Sequence, residues 1–151
     1  MKQQQVIEKI ELAWQDLQAA VAGLTPEQML QPGAVGEWSV KDVLAHVSAW
    51  EQEAIKYLPL TLTDARLPRY KDLYGGIDAF NAQATARARA LSLEQVLAQM
   101  ETVHQELLAL VDAAPEELFR KETRFRRRIR LDTFSHYPVH SADIRRWRES
   151  S

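Results

Sequence analysis

Four histidines and no cysteine set the chemistry open to this chain: metal ligation and nucleophilic or acid–base work must come from imidazoles, carboxylates, hydroxyls and lysines. His136 and His140 stand four residues apart. On a helix advancing 100° per residue they share a face with Ile144 and Trp147, with Tyr137 at its edge, so both imidazoles point where the apolar side chains point. Side chains so spaced lie about 5–6 Å apart at Cβ, close enough for two imidazoles to hold one divalent ion. His46, on the border of another helical stripe beside Trp50, offers a third ligand. Three neutral imidazoles with no fourth protein ligand leave a position open for water or substrate, a geometry suited to hydrolysis or to activating a small nucleophile. The plain alternative, interior histidines satisfied by carbonyls or carboxylates, weakens when three converge. Imidazole accepts zinc, nickel, copper and iron alike, so the ion is left open.

Other residues border this constellation. His104 is central on a third stripe and reads as a core residue or one that orients a ligand. Asp143, three after His140, and Glu53, two turns beyond His46, can orient an imidazole or act as a base, although solvated surface acids are the plainer reading. Trp50 and Trp147 can wall a pocket, with core packing the default for all four tryptophans. Tyr57, Tyr70, Tyr74 and Asn81 could donate to a substrate, but the sequence gives them no convergent geometry. Pro138 removes a backbone donor between the two paired histidines, so the last helix either kinks or starts near Ser135 with Pro138 in its first turn.

The elements that must position these residues follow from periodicity and caps. Val6, Ile7, Ile10, Trp14, Leu17 and Val21 predict a first helix over Gln3 to Ala22, and Thr25-Pro26-Glu27-Gln28 a short connector. Ser39 and Asp42 form a capping box opening a second long helix through Leu58. Pro59 to Gly76 reads as a long loop, a candidate lid over a site. Asp78 caps a short helix from Ala79 to Ala90, and Ser92 with Gln95 starts a third long helix carrying Leu93 to Val111. Arg120 to Leu131 shows no sustained stripe, and a last helix is expected from about Asp132 to Arg148. The result is an all-α four-helix bundle with a short extra helix and a long loop between helices two and three.

At 151 residues, 46% apolar and 26% charged, with 5 Gly and 6 Pro, residues 1–151 fit a single globular domain. The net charge of −2 gives the whole molecule no strong pull on nucleic acid or anionic membrane. Charge is nonetheless uneven, −8 over Met1 to Phe119 and +6 over Arg120 to Ser151. Arg124-Phe125-Arg126-Arg127-Arg128-Ile129-Arg130 could contact phosphates, with Phe125 to stack on a base. A connector anchored by Phe125, Ile129 and Leu131, its arginines meeting the acidic helices, is the favoured reading, and nucleic acid is not the expected partner. The polar N-terminus lacks a signal-peptide pattern and no segment is apolar enough to span a membrane, so a cytoplasmic protein is expected.

The run Gly36-Glu37-Trp38-Ser39-Val40-Lys41-Asp42-Val43-Leu44-Ala45-His46-Val47-Ser48-Ala49-Trp50-Glu51 resembles the second-helix signature of the DinB-like superfamily, especially its ClbS/DfsB branch. Ile77-Asp78-Ala79-Phe80-Asn81-Ala82, Pro115-Glu116-Glu117-Leu118-Phe119 and the segment from Ser135-His136-Tyr137 through His140 to Trp147 agree in order and spacing. The resemblance implies an often dimeric four-helix bundle, here an expected homodimer, with a divalent ion on one histidine of helix two and two of the last helix, positions that match His46, His136 and His140. Members range from metal-dependent hydrolases to thiol-dependent transferases. The ClbS/DfsB branch includes a self-resistance protein that opens a reactive small molecule without the His triad. Three functions follow: a metal-dependent hydrolase or transferase acting on a small molecule, a metal-free protein that binds or opens a reactive small molecule, or an interaction module using the arginine-rich segment.

Overall fold

The computed structural model describes residues 2–151. Its long helices are α1 (Gln3–Val21), α3 (Val40–Thr61), α6 (Leu93–Ala113) and α8 (Tyr137–Ser150), and among the described residues there is no β-strand beyond an isolated Val35–Trp38 bridge. Helix α3 packs on α6 and α1 on α8, with α1–α6 and α3–α8 contacts closing the bundle. The four-helix bundle is therefore as expected. Fully buried Ile10, Leu17, Leu44, Leu58, Leu107 and Ile144 fill its centre, and burying each such side chain is worth about 1.5–3 kcal/mol.

The caps explain where helices start. Ser39 Oγ accepts from Asp42 N at 3.1 Å while Asp42 Oδ2 accepts from Ser39 N at 3.0 Å, and Ser92 and Gln95 repeat the exchange at the head of α6. Thr25 and Gln28 do the same for α2 (Pro26–Leu30).

Three boundaries differ from expectation. Helix α3 continues through Pro59 to Thr61, because a proline at the last turn forfeits one amide bond and the two further helical residues still close the turn. The expected loop also contains α4 (Tyr70–Tyr74), which Gly75 ends with a left-handed φ of 88°. Helix α5 (Ile77–Arg89) begins ahead of Asp78, so Gly76 rather than Asp78 holds the cap position.

A fourth difference positions the site. Arg124 to Asp132 forms a helix, α7, after a 3-10 turn at Glu116–Phe119, and the last helix starts at Tyr137 rather than near Asp132. Only Phe125, Ile129 and Asp132 of α7 are buried, too few apolar positions to make a legible stripe, and Leu131 is 46% exposed rather than an anchor. The chain breaks at buried Thr133, whose carbonyl accepts from both His136 N and Tyr137 N at 2.8 Å. Pro138 thus falls in the first turn of α8, where its missing N–H costs nothing.

The arginines of α7 mostly serve the fold. Arg124 donates to the carbonyls of Leu60, Thr63 and Ala65, closing the C-terminal end of α3. Arg126 reaches Phe119 O at 3.1 Å, Arg130 meets Glu122 at 3.3 Å, and Arg128 bonds Asp132 and Tyr70. Arg127 alone among these five is classed as exposed. Their partners are therefore backbone carbonyls and close neighbours more than the acidic face of the long helices. Among the described residues no helix is long and apolar enough to cross a membrane.

Candidate metal centre

Helix α3 brings His46, and the head of α8 brings His136 and His140, onto one point. His136 Nε2 lies 3.1 Å from His46 Nε2 and 2.9 Å from His140 Nε2, and one ring nitrogen of each lies within 4.8 Å of the others. His136 caps α8 rather than sitting inside it, yet the four-residue spacing still holds the two rings together, with centroids 4.6 Å apart.

Proton arithmetic makes this cluster unlike a hydrogen-bond network. The single in-plane site on His136 Nε2 holds either a proton or a lone pair, so it cannot make two linear hydrogen bonds at once. The outer nitrogens offer no relief, since His136 Nδ1 and His140 Nδ1 are buried without a partner among the described residues. Charging the rings is disfavoured: burial, then the neighbouring imidazoles, pushes His46 down to about 3. Burial and His140 push His136 down to about 4, and burial lowers His140 against the pull of Asp143. Three neutral rings with converging Nε2 atoms are the donor set a borderline divalent cation prefers.

A cleft of about 280 Å³ opens beside the histidines, lined by His46, His136, Trp50 and Asn81, the half-exposed Ile77 and Leu131, and the buried Asp132. Trp50 Nε1 donates to Asn81 Oδ1 at 2.9 Å, joining two residues of the lining. Trp38, expected only in the core, has its ring 4.9 Å from that of His46. The segment expected as a lid packs behind the cleft lining, through the aromatic cluster: Tyr70 of α4 lies 5.2 Å from Trp50, and Tyr74 5.0 Å from Phe80, which is itself 4.8 Å from Trp50.

The remaining sequence candidates scatter. Asp143 Oδ2 stands 3.9 Å from His140 Nδ1, beyond hydrogen-bond reach, and pairs with Arg146. Glu53 is buried, not a solvated surface acid, and accepts from Tyr74 Oη at 3.0 Å. Trp147 packs against the core and does not line the cleft. His104 is fully buried, with Nδ1 at 3.2 Å from Glu51 and Nε2 at 3.3 Å from Glu11, and the Tyr137 hydroxyl approaches it at 3.4 Å. Tyr137 therefore faces this interior network, away from its neighbour His136. Asp132 also lines this cleft, and its place four before His136, the spacing that also joins His136 to His140, is the sequence signal that points to it.

The sequence profile of the DinB superfamily matches residues 9–143. Among solved structures, an uncharacterised protein from Escherichia coli UTI89 aligns with a TM-score of 0.80 at 18% identity, covering 99% of this chain and 94% of that one. The sibling lethal factor precursor DfsB aligns at 0.81 and 15% identity, over 99% and 96% of the two chains. The colibactin self-resistance protein ClbS, solved in complex with a double-stranded DNA, aligns at 0.78 and 17% identity, over 96% and 94%. These likenesses show the fold. No curated protein matches the chain.

Proposed function

From a chain that belongs to the DinB superfamily and gathers three uncharged imidazoles on one point, we infer a metal-dependent hydrolase or transferase acting on a small molecule, with a divalent ion such as zinc, nickel or iron on His46, His136 and His140. The observation that carries this reading is His136 Nε2, which meets two other ring nitrogens at 2.9 and 3.1 Å that protons alone do not satisfy. Such an ion, when bound by three neutral ligands, lowers the pKa of a nucleophile at its open position.

The chain's own residues do the rest. His46 from one helix and His136 with His140 from another fix the ligand atoms across the α3–α8 seam. Trp50, Ile77 and Leu131 give the cleft an apolar lining, and Asn81 holds Trp50 in place. A cleft of about 280 Å³ suits a small molecule rather than a polymer.

Elemental analysis of untagged protein purified without chelator tests this, wild type beside His136→Ala/His140→Ala. About one ion per chain, lost in the double variant, is expected. No metal after adding zinc or nickel would overturn the assignment and favour a metal-free protein that captures or opens a reactive small molecule. Likeness to the ClbS and DfsB folds supports that second reading.

A further inference from the structure

Asp132, the last residue of α7, is 6% exposed, yet it lines the cleft with His46 and His136. Its Oδ2 accepts from Arg128 Nε at 2.6 Å, and no donor among the described residues bonds its Oδ1. Arg128 is itself immobilised. Its Nη2 donates to Tyr70 Oη at 2.6 Å, and its guanidinium carbon lies 5.7 Å and 5.9 Å from the centroids of Tyr70 and Tyr57. The carboxylate is thus held by one oxygen and keeps the other free. A solvent-exposed i,i+4 pair would need no explanation, but a buried carboxylate carries a desolvation cost that one arginine contact offsets only in part.

The other acids do not compete for this place. Glu53 accepts from Tyr74, Asp143 pairs with Arg146, Glu51 faces His104, and none of the three lines the cleft. We propose that Asp132 is the proton acceptor of the cleft, taking on Oδ1 the proton of the O–H or S–H nucleophile that attacks the substrate. The O–H or S–H bond breaks heterolytically, its electron pair forms the new bond from the nucleophile to the substrate, the bond to the leaving group breaks with its pair on the leaving group, and Asp132 passes the proton to that group. Nothing is oxidised or reduced. This role rests on the metal-centre reading given above.

The carboxyl suits both directions of transfer. Burial raises it to about 6 against the lowering pull of Arg128, with Glu53 adding to the rise, so it is a base at neutral pH whose conjugate acid still gives the proton back. The groups around it are Arg128 on its own helix, Tyr70 on α4, Glu53 and the buried Glu51 on α3, Tyr137 on α8, and His46 and His136 across the cleft.

The test is the visible spectrum of the full chain loaded with cobalt(II), followed from pH 5 to 9, with folding checked by far-ultraviolet circular dichroism. Wild type is expected to show a pH-dependent inflection that Asp132→Asn loses, the asparagine oxygen still accepting from Arg128. Should that variant not fold, Arg128→Met serves: removing the cation moves the inflection upward by about one pH unit or more. Cobalt bound with the same profile in wild type and variant would overturn the role of Asp132 and leave the metal centre standing. No cobalt uptake by wild type would overturn the metal centre, and the proton acceptor with it.

Discussion

The imidazole of His104 lies flat on the indole of Trp14, centroids 3.6 Å apart and planes within 4°. The stack joins α6 to α1 and leaves the ring edge to bond Glu51 of α3 and Glu11 of α1. Glu51 is fully buried, its Oε1 has no partner, and burial raises its carboxyl above the ordinary range, which the His104 contact partly opposes. Removing His104 alone leaves Glu51 stranded. His104→Leu is expected to lose about 3–5 kcal/mol in urea unfolding, and His104→Leu/Glu51→Met to recover most of it. Metal content should stay at the wild-type level in the double variant, since this network is separate from the three ligands.

His140→Ala should abolish metal binding while the far-ultraviolet spectrum stays helical. The ring is one of three convergent ligands, and its Nδ1 makes no protein hydrogen bond that the fold would miss. An unchanged metal content in this variant would remove the centre from consideration.

The metal-free protein should weaken in mild acid. His46 and His136 titrate near 3 and 4 in the folded chain against an ordinary 6.5, so between these values the unfolded chain binds more protons. Stability is then complete above about pH 6.5 and is lost as pH falls from there towards 4 and below. Melting temperatures of the apo-protein taken across pH 7 to 4 should fall, and His46→Gln should flatten the trend.

Arg124 and Arg127 should behave oppositely although they belong to one basic run. Arg124→Ala removes a charged donor from three carbonyls at the end of α3 and should cost about 1.5–3 kcal/mol. Arg127→Ala, at an exposed position, should stay within about 0.5 kcal/mol. Comparable losses in chemical denaturation would refute this division between fold and surface.

The long amphipathic helices and their caps were legible because each feature is local: a stripe at helical spacing, a Ser or Thr answered by Asp or Gln three residues on. The His triad was legible for a related reason, since four-residue spacing survives even when His136 is a cap rather than an interior residue. What the sequence hid depends on contacts between distant segments. Helix α7 has two buried apolar anchors, Phe125 and Ile129, and its arginines are explained only by the carbonyls at residues 60–65 and by Tyr70. Likewise α4 is a single turn whose tyrosines are held by Trp50 and Phe80, so that in one dimension it reads as loop.

The interruption at Thr133 gives the bundle a joint with two different halves. Asp132 lies just before it at the end of α7 and His136 just after it at the head of α8. An ion gripped by His46 on one side and by His136 and His140 on the other would act as a rivet through that joint. Loading would then slow amide hydrogen exchange first around residues 130–141 and in α3 near His46, whereas the far ends of α1 and α6 would exchange as before.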